Sequence, residues 1–141
     1  MAPFAAVAGY SGTPLPKKLG IKPGARVAVL SAPDGFLDTT LRPLPDQVEM
    51  RSSARGPLDV IVFFTKRRAE LERRFDTLVN ALDRAGALWV AWPKGTSGVP
   101  TDLTENTVRD VALPKGLVDI KIAAIDEIWS GLKLVIRLEN R

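Results

Sequence analysis

A short run of small and hydroxylated residues around one lysine is the stretch best suited to hold a ligand. Pro93-Lys94-Gly95-Thr96-Ser97-Gly98 follows an apolar run that ends at Trp92. The lysine supplies a positive charge, the glycines allow close backbone approach and the hydroxyls can donate hydrogen bonds. These types suit a phosphate or a carboxylate, although a phosphate-binding P-loop has its glycines before the lysine. An ordinary strand-to-helix turn uses the same residues, so both interpretations stay open.

Two other loops carry polar residues where predicted strands end. The candidate ligand-binding residues there are Ser31, Asp34 and Gly35 in the first loop, and Thr65, Lys66 and Arg67 in the second. Bases at the start of a helix oppose the helix dipole, which indicates an anion drawn to the charges and to free N–H groups. A solvated helix face with paired charges is the competing interpretation. With Trp92 and residues 94–97, these loops form the predicted site.

The sequence contains neither histidine nor cysteine. This excludes a Ser-His-Asp triad, a thiolate nucleophile, and any imidazole or thiolate metal site. The carboxylates nearest to predicted loops show no spacing typical of an acid–base pair or a magnesium site; they are Asp34, Asp102, Asp126 and Glu127. We therefore predict no catalytic residue and no metal site.

The composition is that of a globular protein with a mild basic excess. Twenty Lys and Arg against sixteen Asp and Glu give a net charge of +4, and 45% of the residues are hydrophobic. No basic tract is dense enough to predict nucleic acid as the partner, and no pattern requires a particular oligomeric state. No apolar run approaches about 20 residues, and MAPFAAVAG lacks the basic region of a secretory signal. We therefore expect a cytoplasmic protein that does not span a membrane.

The apolar periodicity predicts a single domain over 13–141, preceded by a flexible tail at 1–12. The predicted strands are 26–30, 48–51, 59–65, 87–92, 117–126 and 132–139, and the predicted helices are 14–19, 66–85 and 102–113, with a short helical or irregular segment up to residue 40. Strands that alternate with helical crossovers imply a mainly parallel sheet with helices on both faces. The last two strands, a short turn apart, are predicted to pair antiparallel. The fold class is an α/β three-layer sandwich.

Helix ends are predicted from residues that favour caps. Thr13 is expected to cap the first helix and Gly20 to follow its end. Gly86 is expected just past the C-cap of the long helix. Asp102 and Thr104 are alternative caps for the last helix, and acidic Glu105 suits its first turn.

The three tryptophans are predicted to differ in their surroundings. Trp89 and Trp92 lie three apart on a strand, so they should point to opposite faces of the sheet, with Trp92 close to the strand end. Trp129 is placed in the turn of the final pair, which makes it the candidate contact for a protein partner. Core or edge packing is the alternative for each of them.

The order of elements resembles the Rossmann-type fold of class I S-adenosylmethionine-dependent methyltransferases, in a shortened form. The segments LGIKPGARVAVL, DVIVFF and RAGALWVAWPK resemble the first strand with its approach, the strand that ends the cofactor half, and the next helix–strand element. GLVDIKIAAIDEIWSGLKLVIRLE resembles the closing antiparallel pair. The blocks YSGTPLPKKLGIKPG, FFTKRRAELE and WPKGTSGVPTDLTE are similar to a family of uncharacterised bacterial proteins, and this second resemblance implies a fold without an activity.

The methyltransferase resemblance implies a glycine-rich turn after the first strand and an acidic residue that holds the cofactor ribose at the end of the second strand. The corresponding turn, Ser31-Ala-Pro-Asp-Gly35, has one glycine, and Glu49 is the sole acidic candidate. We therefore predict a non-catalytic Rossmann-like domain without a cofactor, which binds a small anionic ligand or a protein partner beyond the strand ends. The alternative is an S-adenosylmethionine-dependent methyltransferase with an altered cofactor loop.

Overall fold

Six strands form one mixed sheet in the structure, a computed structural model that describes residues 12–141. The strands are β1 (Arg26–Leu30), β2 (Glu49–Arg51), β3 (Leu58–Phe64), β4 (Leu82–Pro93), β5 (Leu117–Ala124) and β6 (Trp129–Ile136). Their order is β2-β1-β3-β4-β6-β5; the first four are parallel, and β6 is antiparallel to both β4 and β5. This confirms the predicted sheet. The predicted N-terminal tail lies outside the described residues except for Gly12.

Helices cover both faces of the sheet and make the predicted third layer. One face carries α1 (Leu15–Lys18) and a single π-helical turn at Phe36–Thr40, and the other carries α2 (Arg68–Ala81) and α3 (Glu105–Ala112). Short 3-10 turns follow at Gly95–Ser97, Leu113–Lys115 and Leu138–Asn140. None of the helices between residues 12 and 141 has the length and apolar character needed to cross a membrane.

The central strand β3 is buried on both faces, as its almost continuous apolar sequence predicts. Phe63 packs into the core under α2 and α3, and Phe64 packs into the core on the α1 face. Both phenylalanines are at most 1% exposed. Burying a side chain of this size contributes about 1.5–3 kcal/mol. Packing on both faces therefore holds β3 in position, and it also holds the carboxyl end of this strand, where the next loop begins.

Trp89 and Trp92 point to opposite faces, which confirms the prediction from their spacing. Trp89 belongs to the core on the α1 face, and Trp92 belongs to the core under α2 and α3. The buried Trp89 Nε1–H donates to the carbonyl oxygen of Leu19 at 3.0 Å. This bond satisfies the buried indole and ties the end of α1 to the sheet.

The long helix is shorter than predicted at both ends. It was expected over 66–85, but it ends at Ala81, and Leu82 is already extended with φ −82° and ψ 132°. Residues 82–86 instead begin β4, where Leu82 lies opposite Leu58. The helical spacing of apolar residues continued through Leu82 because this side chain is buried in the same core from its strand position. The prediction that Gly86 follows the helix C-cap is therefore wrong.

Two other boundaries also differ from the prediction, and at a third one of the two predicted caps is confirmed. Pro14, with ψ 140°, occupies the N-cap position of α1, so Thr13 is not the cap, whereas Gly20 does follow the helix end, with φ +80°. β6 begins at Trp129, three residues earlier than predicted, so this tryptophan lies in a strand rather than in a turn. Thr104 caps α3, and its Oγ1 accepts the N–H of Thr107 at 3.2 Å.

Gly86 is required by close packing of two strands. A Cβ on Gly86 would lie 2.8 Å from the carbonyl oxygen of Leu58 and 3.0 Å from that of Asp59. Because both neighbours are backbone atoms, Gly86→Ala should lower the free energy of unfolding by about 2 kcal/mol. Gly95→Ala is the matched control, since a Cβ there meets nothing within 4 Å. Urea denaturation should show a change for this control within about 0.5 kcal/mol, and equal losses in both variants would contradict the register.

Candidate functional site

A cleft of about 670 Å³ opens at the edge of the sheet where β1 and β3 end and β6 begins. β6 runs antiparallel to β4, with Trp129 opposite Pro93, so its first residue lies at the edge where the parallel strands finish. The cleft is lined by Ser31, Pro33, Phe64, Thr65, Lys66, Arg67, Ala69, Glu70, Arg73 and Trp129. This is the edge at which open α/β sheets bind ligands.

The apolar part of the lining includes an aromatic pair. The rings of Phe64 and Trp129 meet edge to face, with centroids 5.1 Å apart. Trp129 is only 8% exposed. The sequence placed it in a turn as a contact for a protein partner, but the indole is largely buried as the first residue of β6, beside the cleft.

Four of the predicted ligand-binding residues come together in the cleft: Ser31, Thr65, Lys66 and Arg67. The others do not line it. Asp34 and Gly35 are exposed, and Gly35, with φ +82°, is the N-cap residue of the π-helical turn. Trp92 is buried under α2 and α3.

The loop after β4 is held by hydrogen bonds within itself and to Ile128. The Lys94 N–H donates to the carbonyl oxygen of Ile128 at 2.7 Å, and the Ser97 hydroxyl donates to the carbonyl oxygen of Lys94 at 2.6 Å. Gly95, Thr96 and Ser97 form a 3-10 turn, which Gly98 ends with φ +76°. Of the two interpretations that the sequence left open, these contacts favour the turn.

Thr65 links the end of β3 to the first turn of α2. Its side chain is almost fully buried, and its hydroxyl donates to Glu70 Oε1 at 2.5 Å. The Thr65 hydroxyl oxygen also accepts the N–H of Arg67 at 3.3 Å. Glu70, the one carboxylate in the lining, is therefore already engaged by a hydroxyl.

The start of α2 is capped from a distant part of the chain. Asp102 Oδ1 accepts the N–H of Arg68 at 2.8 Å, and the Thr101 hydroxyl donates to the carbonyl oxygen of Lys66 at 2.7 Å. The sequence suggested a free helix start that attracts an external anion, but the Asp102 carboxylate occupies it. Asp102 was also a candidate cap for α3, a role that belongs to Thr104.

The charge around the cleft is positive. Among the described residues, Lys66, Arg67 and Arg73 line it with Glu70 as the only acid. Arg73 lies 4.0 Å from Glu70, and no carboxylate within residues 12–141 lies within 4 Å of the Lys66 or Arg67 side chains. Glu70 and Arg73 were not among the predicted site residues, although they follow Arg67 at successive intervals of three residues, which places all three on one side of the helix. The cleft is therefore suited to a ligand with negative charge.

The residues at this edge of the sheet do not provide the groups that the methyltransferase resemblance implies for binding S-adenosylmethionine. Glu49 lies opposite Arg26 at the beginning of β2, so it sits at the end of the strand away from the cleft. Its carboxylate pairs with Arg51 at 2.6 Å. In the turn after β1, Pro33 lines the cleft without an N–H to offer, and Ser31 holds φ +59°, a conformation that favours glycine. The ribose-binding carboxylate and the glycine-rich backbone are therefore both missing.

Removing the Asp102 carboxylate tests how α2 is anchored. Asp102→Ala should lower the free energy of unfolding by about 1 kcal/mol, the usual effect of losing a helix cap. Hydrogen exchange by NMR should show faster exchange at the Arg68 amide and no change at the Thr107 amide, which Thr104 caps. Asp110→Ala, an exposed carboxylate on α3, is the control and should alter neither amide. Faster exchange at Thr107 instead would show that Asp102 caps α3.

The comparisons with known proteins support the fold. No protein-family model matches the chain, and no curated protein is significantly similar to it, so the resemblance to a bacterial family stays a prediction. Among solved structures, an S-adenosylmethionine-dependent methyltransferase from Aquifex aeolicus is 13% identical, with a TM-score of 0.66 over 86% of this chain and 87% of that chain. A magnesium protoporphyrin IX methyltransferase from Synechocystis PCC 6803, with S-adenosylmethionine bound, is 13% identical, with a TM-score of 0.58 over 82% and 71%. At these identities the likeness shows the methyltransferase-like fold of this chain, and the fold alone.

Proposed function

We propose that this protein binds a small anionic ligand in the cleft at the carboxyl ends of β1 and β3, and that it does so without catalysis. The observation that carries the proposal is the excess of cations around the cleft: Lys66, Arg67 and Arg73 against Glu70. Arginine and lysine donate strong hydrogen bonds to phosphate and carboxylate oxygens. The largely buried rings of Phe64 and Trp129 in the same cleft would hold an apolar part of this ligand.

The absence of catalysis in the proposal follows from the groups that line the cleft. A general base needs a free carboxylate, amine or imidazole within reach of the reacting proton. Among the described residues, Glu70 is the one carboxylate of the lining; it is bonded to the almost fully buried Thr65 hydroxyl and lies 4.0 Å from Arg73, and no carboxylate lies within 4 Å of Lys66 or Arg67. The arrangement favours recognition of charge over proton transfer.

A second candidate function is methyl transfer from S-adenosylmethionine. It is favoured by the likeness to solved methyltransferases, one of which holds this cofactor. Methyl transfer depends mainly on proximity and alignment, so the lack of histidine does not argue against it. Two features argue for the first proposal: no carboxylate stands at the end of β2, and the turn after β1 offers Pro33 and a single glycine in place of a glycine-rich backbone.

The two functions are separated by calorimetric titration with ADP and with S-adenosylhomocysteine. We expect ADP to bind to the wild-type protein and S-adenosylhomocysteine to bind at least about tenfold more weakly. Lys66→Gln and Arg67→Gln should each weaken ADP binding by about 10- to 100-fold, because each removes a charged hydrogen-bond donor.

Arg68→Gln is the matched control for these variants. Arg68 is the next residue along the chain, pairs with Glu72 at 3.2 Å and does not line the cleft, so its loss should leave ADP binding within about twofold. Tight binding of S-adenosylhomocysteine without ADP binding would overturn the proposal in favour of methyl transfer. Equal losses in Arg67→Gln and Arg68→Gln would place the ligand outside the cleft.

A further inference from the structure

Lysines gather on the face of the sheet that carries α1. Lys121 on β5 and Lys133 on β6 are direct cross-strand partners. Lys18, at the end of α1, and Lys22, in the turn that follows, lie close enough for their charges to interact with this pair. These four residues, Lys18, Lys22, Lys121 and Lys133, are called the lysine cluster below.

The lysine cluster is unfavourable for the free protein. Burial and then the charges of Lys121 and Lys22 lower the pKa of Lys133. Burial and then the charges of Lys121 and Lys94 lower the pKa of Lys18. Like charges directly opposite on neighbouring strands are destabilising.

The polar contacts of the cluster offset little of this charge. Lys18 Nζ donates to the carbonyl oxygen of Ala124 at 2.9 Å. Lys115, outside the cluster, is the one lysine with a carboxylate within 4 Å among residues 12–141. Within the described chain, no carboxylate therefore lies within 4 Å of a cluster ammonium, and Asp59, which lines a cavity with Lys22 and Lys133, is paired with Arg26 instead.

Two cavities flank the lysine cluster. One, of about 520 Å³, is lined by Lys18 and Lys121 together with Lys17. The other, of about 490 Å³, is lined by Lys22 and Lys133 together with Ile120 and the Arg26-paired Asp59. Neither cavity shares a lining residue with the cleft at the strand ends, which lies at Thr65 and Arg67. The molecule therefore has a second place where cavities lie beside several positive charges.

A simpler role for these lysines would be protection of the sheet edge. β5 is the edge strand, and lysines on an edge hinder pairing with another chain. That role suits Lys121, which is exposed. It does not account for Lys133, which lies on the inner strand β6, or for Lys18, which lies on α1. Edge protection explains one member of the cluster and leaves the others unexplained.

We propose that the lysine cluster is a second anion-binding site, and that it takes a compact phosphate compound with several negative charges, such as an oligophosphate. Lysine ammonium groups bind phosphate as point charges with up to three donors each. Partners on neighbouring strands have Cβ atoms about 5 Å apart, so the cluster presents a dense charge. An extended acidic peptide presents its carboxylates on one side only every second residue, about 7 Å apart, which matches this density less well.

Nucleic acid is a weaker match for the same site. Proteins that bind single strands add aromatic side chains on which the bases stack. Among the described residues, the lining of both cavities consists of aliphatic residues and lysines together with Thr13 and Asp59, and includes no aromatic ring. The chemistry at the cluster therefore recognises the phosphate group and offers nothing for a base.

Calorimetric titration with inorganic tripolyphosphate tests the site. The wild-type protein should bind it, and Lys121→Gln and Lys133→Gln should each weaken binding by about tenfold, because each removes one charged donor. Both variants should melt at the same temperature as the wild type or higher, since each relieves repulsion. Lys115→Gln is the matched control: its ammonium pairs with Asp76 at 3.0 Å, away from the cluster, and its loss should change binding by less than about twofold.

Three outcomes would overturn the proposal. The first is no binding of tripolyphosphate to the wild-type protein, or equal binding to the cluster variants and the wild type. The second is tighter binding of a single-stranded oligonucleotide or of poly-glutamate than of tripolyphosphate at the same salt concentration. The third is a loss of tripolyphosphate binding in Arg67→Gln with retention in Lys121→Gln, which would assign the phosphate to the cleft. Retention of tripolyphosphate binding in Arg67→Gln supports a separate site, whether or not ADP binds in the cleft.

Discussion

Parallel hydrogen bonding of β3 between β1 and β4 is the constraint on which the rest of the molecule depends. The register runs from Val27 opposite Val60 to Leu30 opposite Phe63, and on the other side Phe64 lies opposite Ala91. Because the strands are parallel and in register, their carboxyl ends stand in one row. β6 enters the sheet from the same edge and adds Trp129 to it. A cleft at this edge is therefore a consequence of strand pairing, and the loops decide what it can bind.

The two basic regions of the molecule differ in how closely carboxylates approach their positive charges. At the start of α2, Asp102 supplies the carboxylate that the helix dipole favours, and Glu70 lies in the first turn. Lys66 and Arg67 are left to face the cleft. In the lysine cluster, no carboxylate of the described chain lies within 4 Å, and burial adds to the repulsion. Both proposals rest on the same observation. In each region, positive charges without a nearby carboxylate lie beside a space large enough for a ligand.

The sequence predicted the strands with clear ends and missed the boundaries that tertiary contacts decide. Both ends of the strand at 26–30 were predicted correctly because turn-forming residues flank it. The change from helix to strand at Leu82 was missed because this buried leucine suits both periodicities. Of the candidate site, Ser31, Thr65, Lys66 and Arg67 followed from strand order alone. The cap from Asp102 to Arg68 did not, since 34 residues separate the two and only the folded chain joins them.

The most direct test of the anion-binding cleft is an NMR titration of the isotope-labelled protein with ADP, followed at the three tryptophan indole N–H signals. Trp129 lines the cleft, whereas the indole of Trp89 is bonded to the Leu19 carbonyl and Trp92 is buried under α2 and α3. We expect the Trp129 signal and the amides of residues 65–67 to shift together, while the Trp89 and Trp92 signals stay in place. Shifts confined to residues 94–97, or none at residues 65–67, would contradict the account.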